Sequence, residues 1–313
     1  MNIQWYPGHM TKARRAMKED IKLVDLVIEL VDARIPYSSR NPDIDELAAG
    51  KARMILLNKA DLADEEAVRG WAALFEEKKL HAVCIDARNK GSLKQVQGAV
   101  AQACKEKTER DRRRGIMNRP IRAMVVGIPN VGKSTFINSF AGKACAKTGN
   151  KPGVTKGNQW IRLNKTLELL DTPGILWPRF EEEMVGVHLA LIGSINDQIL
   201  DKEEMACRLI NILGKRYPEV IPQRYGSEAQ AASAADQAVE MLAAGQAGEA
   251  HAAGGGQEAL AVLAEVARKR ACLLKGGELD IPRAAALLLD EFRGGKLGRI
   301  SLERAEDFYE RRK

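Results

Sequence analysis

The run Gly127-Ile128-Pro129-Asn130-Val131-Gly132-Lys133-Ser134 limits what this chain can fold into more than any other feature. It follows an apolar stretch, Ala123-Met124-Val125-Val126, and precedes a segment of helical character from Thr135 to Phe140. Strand, glycine-bounded loop and helix with the spacing G-x-x-x-x-G-K-S form a phosphate cradle, because backbone N–H groups can close on a phosphate chain only where no side chain intervenes. Lys133 supplies positive charge to the terminal phosphates, Ser134 offers a hydroxyl to Mg²⁺, and the helix N-terminus adds its partial positive charge. The expected nucleotide contacts here are Asn130, Val131, Gly132, Lys133, Ser134 and Thr135. The competing explanation, a chance glycine turn, does not account for the strand-loop-helix setting.

Two elements earlier in the chain address the base. The apolar run Leu26–Val31 ends at Asp32, and a second, Arg53–Leu57, leads straight into Asn58-Lys59-Ala60-Asp61. N-K-x-D is the pattern of guanine recognition. Asp61 can accept from the N1–H and N2 amine of guanine, and adenine would leave that carboxylate buried and unpaired. Asn58 braces the loop and Lys59 lies along the base. A third strand, Ala82–Ile85, ends at Asp86-Ala87-Arg88, where guanine-nucleotide folds carry a turn whose backbone N–H touches the guanine oxygen. Asp86 and Ala87 are candidate contacts, with Ala87 acting through its backbone.

After the phosphate loop come Thr155, placed as a switch threonine on Mg²⁺, two strands near Gln159–Leu163 and Leu167–Leu170, and Asp171-Thr172-Pro173-Gly174. In this D-x-x-G element Asp171 holds Mg²⁺ through water and the Gly174 N–H meets the γ-phosphate. An ordinary GTPase runs phosphate loop, switch threonine, D-x-x-G, N-K-x-D; here N-K-x-D comes first. Permutation is physically allowed because the pocket depends on where the carboxyl ends of parallel strands meet, not on chain order. The expected fold is therefore α/β, a circularly permuted P-loop GTPase domain with a mostly parallel sheet over 1–178, followed by a small all-α domain over 179–313. Helices are expected over Phe180–Ile192, Lys202–Arg216, Gln257–Leu274 and Pro282–Arg293, with an Ala/Gly-rich insertion near 226–257. Because that helical domain starts a few residues after Gly174, ordering of the switch is expected to pull on its attachment point.

Composition narrows the partners. The 313 residues carry a formal net charge of +7, which suggests an anionic partner. Lys12, Arg14, Arg15 and Lys18 mark one face of an amphipathic helix from Met10 to Lys22, either a solvated face or a phosphate contact. Residues 105–122 hold eight basic side chains against three acidic ones, a connector that could touch nucleic acid or simply be a solvated helix end. Five scattered cysteines, with no C-x-x-C pair, argue against a disulfide framework or zinc site. No signal-peptide pattern or transmembrane-length run occurs, so a soluble cytoplasmic protein is expected, with no membrane partner.

The permuted motif order, the N-terminal Trp5-Tyr6-Pro7-Gly8-His9-Met10-x-Lys12-Ala13 and the Arg216-Tyr217-Pro218…Arg224-Tyr225 segment resemble the bacterial ribosome biogenesis GTPase A (YlqF) family. The resemblance spans almost the whole chain apart from the Ala/Gly insertion. It implies a GTP-hydrolysing factor, acting late in assembly of the large (50S) ribosomal subunit, with a helical RNA-contacting domain and a monomeric state. Two other readings stay open: a GTP-gated RNA-binding scaffold without useful hydrolysis, and a small-subunit assembly GTPase. The residue after Gly174 is Ile175, where Ras-like enzymes have glutamine, so another group must orient the attacking water and intrinsic turnover should be slow until the subunit stimulates it. The resemblance implies a catalytic role for His9, which could instead cap the helix near Met10. Asn130 resembles the asparagine of GTPases that coordinate K⁺ beside the phosphates, or it makes a loop hydrogen bond. The expected catalytic set is His9, Lys133, Thr155 and Gly174; the expected metal ligands are Ser134, Thr155 and Asp171 for Mg²⁺, and Asn130 for K⁺.

Overall fold

Apolar runs that end in charged or polar residues become the strands of one six-stranded sheet. The computed structural model describes residues 15–117, 119–142, 159–177, 180–226 and 255–309. The strands are β1 (Leu26–Asp32), β2 (Ala52–Asn58), β3 (His81–Ile85), β4 (Ile121–Val126), β5 (Gln159–Arg162) and β6 (Leu167–Asp171). Their spatial order is β3-β2-β1-β4-β6-β5, all neighbours parallel except β5 against β6. β1 is buried along its whole length, and β2 and β4 are apolar and buried through their carboxyl halves, as expected of parallel strands covered on both faces. The register pairs Asp32 with Asn58 and Asn58 with Ile85, so the carboxyl ends of neighbouring strands lie side by side. β4, which feeds the phosphate loop, lies between β1 and β6. The chain order is thereby permuted while the motif-bearing ends share one edge of the sheet.

Residues 15–20 are helical, the described part of the helix expected over Met10–Lys22, and the further helices of this part are α1 (Asp43–Leu47), α2 (Glu65–Glu77), α3 (Lys90–Ala103), α4 (Lys105–Arg113), α5 (Lys133–Ala141) and α6 (Glu183–Leu191). In α2, Asp64 caps the N-terminus through the Glu66 and Ala67 amides, and Val68, Trp71, Leu74 and Phe75 form its buried face. They pack with Val31, Ile55 and Leu57 of β1 and β2. α3 buries Leu93, Val96 and Val100. The stretch expected as a connector is the helix α4, which buries none of its side chains.

The chain divides into two units, residues 1–196 with 301–313, and residues 197–300. This moves the domain boundary expected after residue 178, for two reasons. Seven of the nine residues of α6 are buried in the first unit, so this helix has no polar face for an independent surface. The C-terminal segment also rejoins the first unit: the Leu302 N–H donates to the Arg34 carbonyl at 2.9 Å, and Phe308 stacks against Tyr37 and Trp71 with ring centroids 4.3 and 5.1 Å apart. Buried Glu303 accepts from the Tyr37 and Ser38 amides and from the Ser38 hydroxyl, and meets His188 Nδ1 at 2.9 Å. Replacing Glu303 with Ala strands these donors in the interior, so the GTPase unit is expected to lose about 3 kcal/mol of stability. Urea unfolding followed by tryptophan fluorescence measures this; an unchanged midpoint would mean the return segment is not held through Glu303.

The second unit contains α7 (Lys202–Arg216), α8 (Val220–Tyr225), α9 (Gly255–Lys269) and α10 (Ile281–Arg293), so the expected all-helical character holds for its described residues. Asp201 caps α7 and Asp280 caps α10. The core joins Leu209 and Leu213 of α7 with Leu263 of α9 and Leu288 and Phe292 of α10. Glu291 gathers Arg224, Arg270 and the Tyr225 hydroxyl into one polar knot. Most of the Ala/Gly insertion, 227–254, lies outside the described residues. After α10, the short α11 (Glu306–Tyr309) belongs to the segment that rejoins the first unit.

Candidate active site

The phosphate loop joins β4 to α5 and is held from three sides. Gly132 takes φ +93°, and a Cβ there would stand 2.5 Å from Asn58 Nδ2, so the position requires glycine for both conformation and space. Asn58 is the cross-brace: its Nδ2 donates to the Val131 carbonyl at 2.7 Å, and its Oδ1 accepts from the Ala87 amide at 3.0 Å. One side chain thus ties the phosphate loop to the turn after β3. In this conformation the Ala87 N–H is engaged by Asn58 instead of facing a base oxygen.

Lys59 also has a left-handed backbone, at φ +59°. Its Nζ donates to Asp32 Oδ2 at 2.9 Å and to the Asn130 carbonyl at 2.8 Å. Burial lowers the Lys59 pKa, and Asp32 opposes that shift. Asp32 is fully buried; burial alone would raise its pKa, but Arg34 and Lys59 hold it well below the usual carboxylate range. Asp32 and Arg34 therefore brace Lys59 from below, a support that motif reading missed. The available signal was an acidic residue at the carboxyl end of β1, the strand beside the phosphate-loop strand, where ligand sites of open parallel sheets form.

Two carboxylate oxygens are buried without a hydrogen-bond partner among the described residues at opposite ends of this crevice, Asp61 Oδ1 and Asp171 Oδ1. Asp61 Oδ2 accepts from Arg88 at 2.6 Å, while Arg88 also bonds Asp86 Oδ1. An unpaired buried acceptor is costly unless a ligand completes it. Asp61 Oδ1 calls for an N–H donor, the kind of group that the edge of a guanine base carries. At Asp171 the completing group is a cation or its water, so the donor set fits Mg²⁺. Burial raises the Asp171 pKa to about 6, with Lys133 opposing. Burial lowers the Lys133 pKa to about 8, with Asp171 opposing. Lys133 Nζ turns back onto the Gly127 and Ile128 carbonyls at 2.9 and 2.8 Å. Ser134 and Thr135 follow it, half-buried, in the first turn of α5.

The D-x-x-G element sits directly on the loop. A Cβ on Gly174 would approach Lys133 Nζ and the Pro129 backbone to 2.9 Å, so only glycine lets the switch backbone lie this close to the phosphate lysine. Ile175 behind it is buried and apolar. The turn after α6 closes the other side: the Asn130 side chain donates to the Gly193 carbonyl at 2.6 Å, and the Ser194 hydroxyl to the Pro129 carbonyl at 2.7 Å. The expected K⁺ ligand Asn130 thus makes the loop hydrogen bond that was its alternative. Gly193 and Ser194 were not anticipated. His9 and Thr155 lie outside the described residues.

A phosphate loop flanked on one side by N-K-x-D and on the other by D-x-x-G, all at the carboxyl ends of parallel strands in permuted chain order, defines a circularly permuted GTPase. A protein-family profile described as "50S ribosome-binding GTPase" matches residues 122–224. Ribosome biogenesis GTPase A of Bacillus cereus is 44% identical over 310 residues, covering 99% of this chain and 96% of that protein. The Thermotoga maritima protein of the same name is 32% identical over 97% of this chain and 95% of its own length. Mouse mitochondrial ribosome-associated GTPase 1 is 35% identical over 96% and 90%. Among solved structures, a GDP-bound YlqF superposes with TM-score 0.62 at 27% identity, covering 93% of this chain and 99% of that one; a GNP-bound YlqF from T. maritima gives 0.59 at 27%, covering 94% and 99%. The chain belongs to the ribosome biogenesis GTPase A family: it is a GTP-hydrolysing enzyme of ribosome assembly.

Proposed function

We propose that this GTPase acts on the large ribosomal subunit, binds its RNA in the GTP state and leaves after hydrolysis. The profile matched by residues 122–224 names 50S binding, and the chain offers a surface suited to RNA phosphate. That surface is the observation that carries the reading. Along α4 and just beyond, Lys105, Arg110, Arg112, Arg113 and Arg114 are exposed and make no ion pair among the described residues. Lys107, Arg119 and Arg122 of the same stretch are instead engaged with Asp25, Asp111 or Glu168. The free arginines are the ones available to phosphate.

In the reaction, Lys133 neutralises developing charge on the transferred phosphoryl, and the Gly174 N–H faces the γ-phosphate. Ser134, Thr155 and Asp171 would hold Mg²⁺, which would supply further charge neutralisation. Buried Ile175 cannot orient water, so another group, His9 or a K⁺ that Asn130 would hold, would complete the site when the subunit is bound, and the subunit would then accelerate turnover. K⁺ at Asn130 would require its side chain to leave the Gly193 carbonyl. The protein works as a cytoplasmic monomer.

Nucleotide dependence follows from the turn after α6. Gly193 and Ser194 are bonded to the phosphate loop only two residues before the second unit begins at Asp197. The path from γ-phosphate to the helical unit therefore runs through the phosphate loop and this turn, not through a direct pull from Gly174. Pelleting with purified large subunits at fixed salt tests the reading. A non-hydrolysable GTP analogue is expected to tighten binding over GDP by about 1–3 kcal/mol. Triple replacement of Arg110, Arg112 and Arg113 by Ala should weaken both states and flatten the salt dependence. Equal binding with the two nucleotides refutes the switch, and cosedimentation with small subunits alone redirects the assignment.

A further inference from the structure

We infer that Arg88 is a positioning residue for base recognition: it bridges Asp86 to Asp61 so that the Asp61 carboxylate presents its inner oxygen to guanine. The inference rests on the reading of Asp61 as the guanine acceptor. Arg88 Nη2 donates to Asp61 Oδ2 at 2.6 Å, and its Nε donates to Asp86 Oδ1 at 3.1 Å. Its own amide donates to the same Asp86 oxygen at 2.9 Å, which fixes the Asp86 side chain against the turn. One guanidinium therefore holds two carboxylates, one from the turn after β2 and one from the turn after β3.

The two oxygens of Asp61 are treated differently. Oδ2 is taken by Arg88 from the solvent side, whereas Oδ1 is buried and unpaired. A carboxylate pinned through one oxygen has a defined rotamer, and its other oxygen points where the base arrives. Without the guanidinium, Asp86 and Asp61 would be like charges on adjacent turns. Asp61 would then turn outward to water, which spoils an acceptor meant for N–H groups. The fork of an arginine suits this bridge because its Nε and Nη2 reach two carboxylates at once. Arg88 is itself largely exposed, so it acts through Asp61 and not as part of the pocket wall.

Titration of GDP into the nucleotide-free full chain tests this. Arg88→Ala is expected to weaken GDP about fivefold, the upper range for a solvent-exposed pair. Arg88→Lys should keep part of the affinity, and Asp86→Asn added to Arg88→Ala should recover part of what was lost, because the repelling charge is gone. In an Asp61→Asn background, probed with xanthosine diphosphate, Arg88→Ala should change affinity by less than about twofold, since the pair it served no longer exists. Unchanged or tighter GDP binding by Arg88→Ala overturns the proposal. So does an equal loss for xanthosine diphosphate in the Asp61→Asn background, which would place Arg88 on the base or phosphates directly. If Asp61→Asn gains no affinity for xanthosine diphosphate, the guanine reading itself fails in a separate arm, and the role of Arg88 falls with it.

Discussion

Asp61→Asn should exchange guanine for xanthine specificity. The Asp61 carboxylate has a buried, unpaired oxygen, and in guanine both N1–H and the N2 amine are donors. An asparagine amide that turns its NH2 to the base sets a donor against the guanine donors. Xanthine carries an oxygen at C2, which the amide can serve. A site built around a hydrogen-bonding edge discriminates by about 10⁴-fold against a base that leaves its polar groups unpaired, so the swing in the GDP to xanthosine diphosphate affinity ratio should be of that order. Because Asn58 and Lys59 keep their bonds to Val131, Ala87, Asp32 and Asn130, the loop itself should not collapse. Calorimetric titration with both diphosphates measures the swing; a variant with wild-type GDP affinity would show that Asp61 does not read the base.

The parts of this site that were legible in the sequence are those whose chemistry depends on neighbours along the chain. Gly127 to Ser134, Asn58 to Asp61 and Asp171 to Gly174 each follow an apolar strand, and the parallel sheet brings those strand ends together. What escaped is pairing across strands and turns. Lys59 with Asp32, Arg88 with Asp61, and Ser194 with Pro129 are joined only once β1, β2, β3, β4 and the turn after α6 are neighbours. The same distinction holds for the fold. The strand positions followed from apolar runs, but α4 has no apolar face and so gave periodicity nothing to detect. α2 carries a readable signal, Asp64 followed by Val68, Trp71 and Phe75 at helical spacing, just after the N-K-x-D motif. The domain boundary could not be read locally, because the return of residues 301–309 rests on Glu303 meeting Ser38, 265 positions away.

Lys133→Met should abolish GTP hydrolysis and weaken triphosphate binding by at least about 10²-fold, since the lysine charge serves both the bound substrate and the transition state. Its effect on stability should run the other way. Without an anion to meet it, Lys133 is buried against backbone carbonyls with a pKa near 8 instead of 10.5, and Asp171 is held near 6 instead of 3.8. For Asp171 the folded state binds more protons than the unfolded state between about pH 4 and 6, so stability falls as pH rises through that window. For Lys133 the unfolded state binds more protons between about pH 8 and 10.5, so stability rises there. From about pH 6 to 8 both groups are ionised and the nucleotide-free protein carries the full desolvation cost of each. Relative to Lys133→Met, the wild-type protein should therefore gain about 3 kcal/mol of stability as pH rises from about 8 to 10.5. Saturating GDP should remove most of that pH dependence from the wild type, because the phosphates return Lys133 to its ordinary range. Urea unfolding across the two pH windows, with and without GDP, gives all these differences. A wild-type-to-variant gap that does not change with pH would mean that Lys133 is not strained in the empty loop, and measurable hydrolysis by the variant would mean that it is not the phosphate lysine.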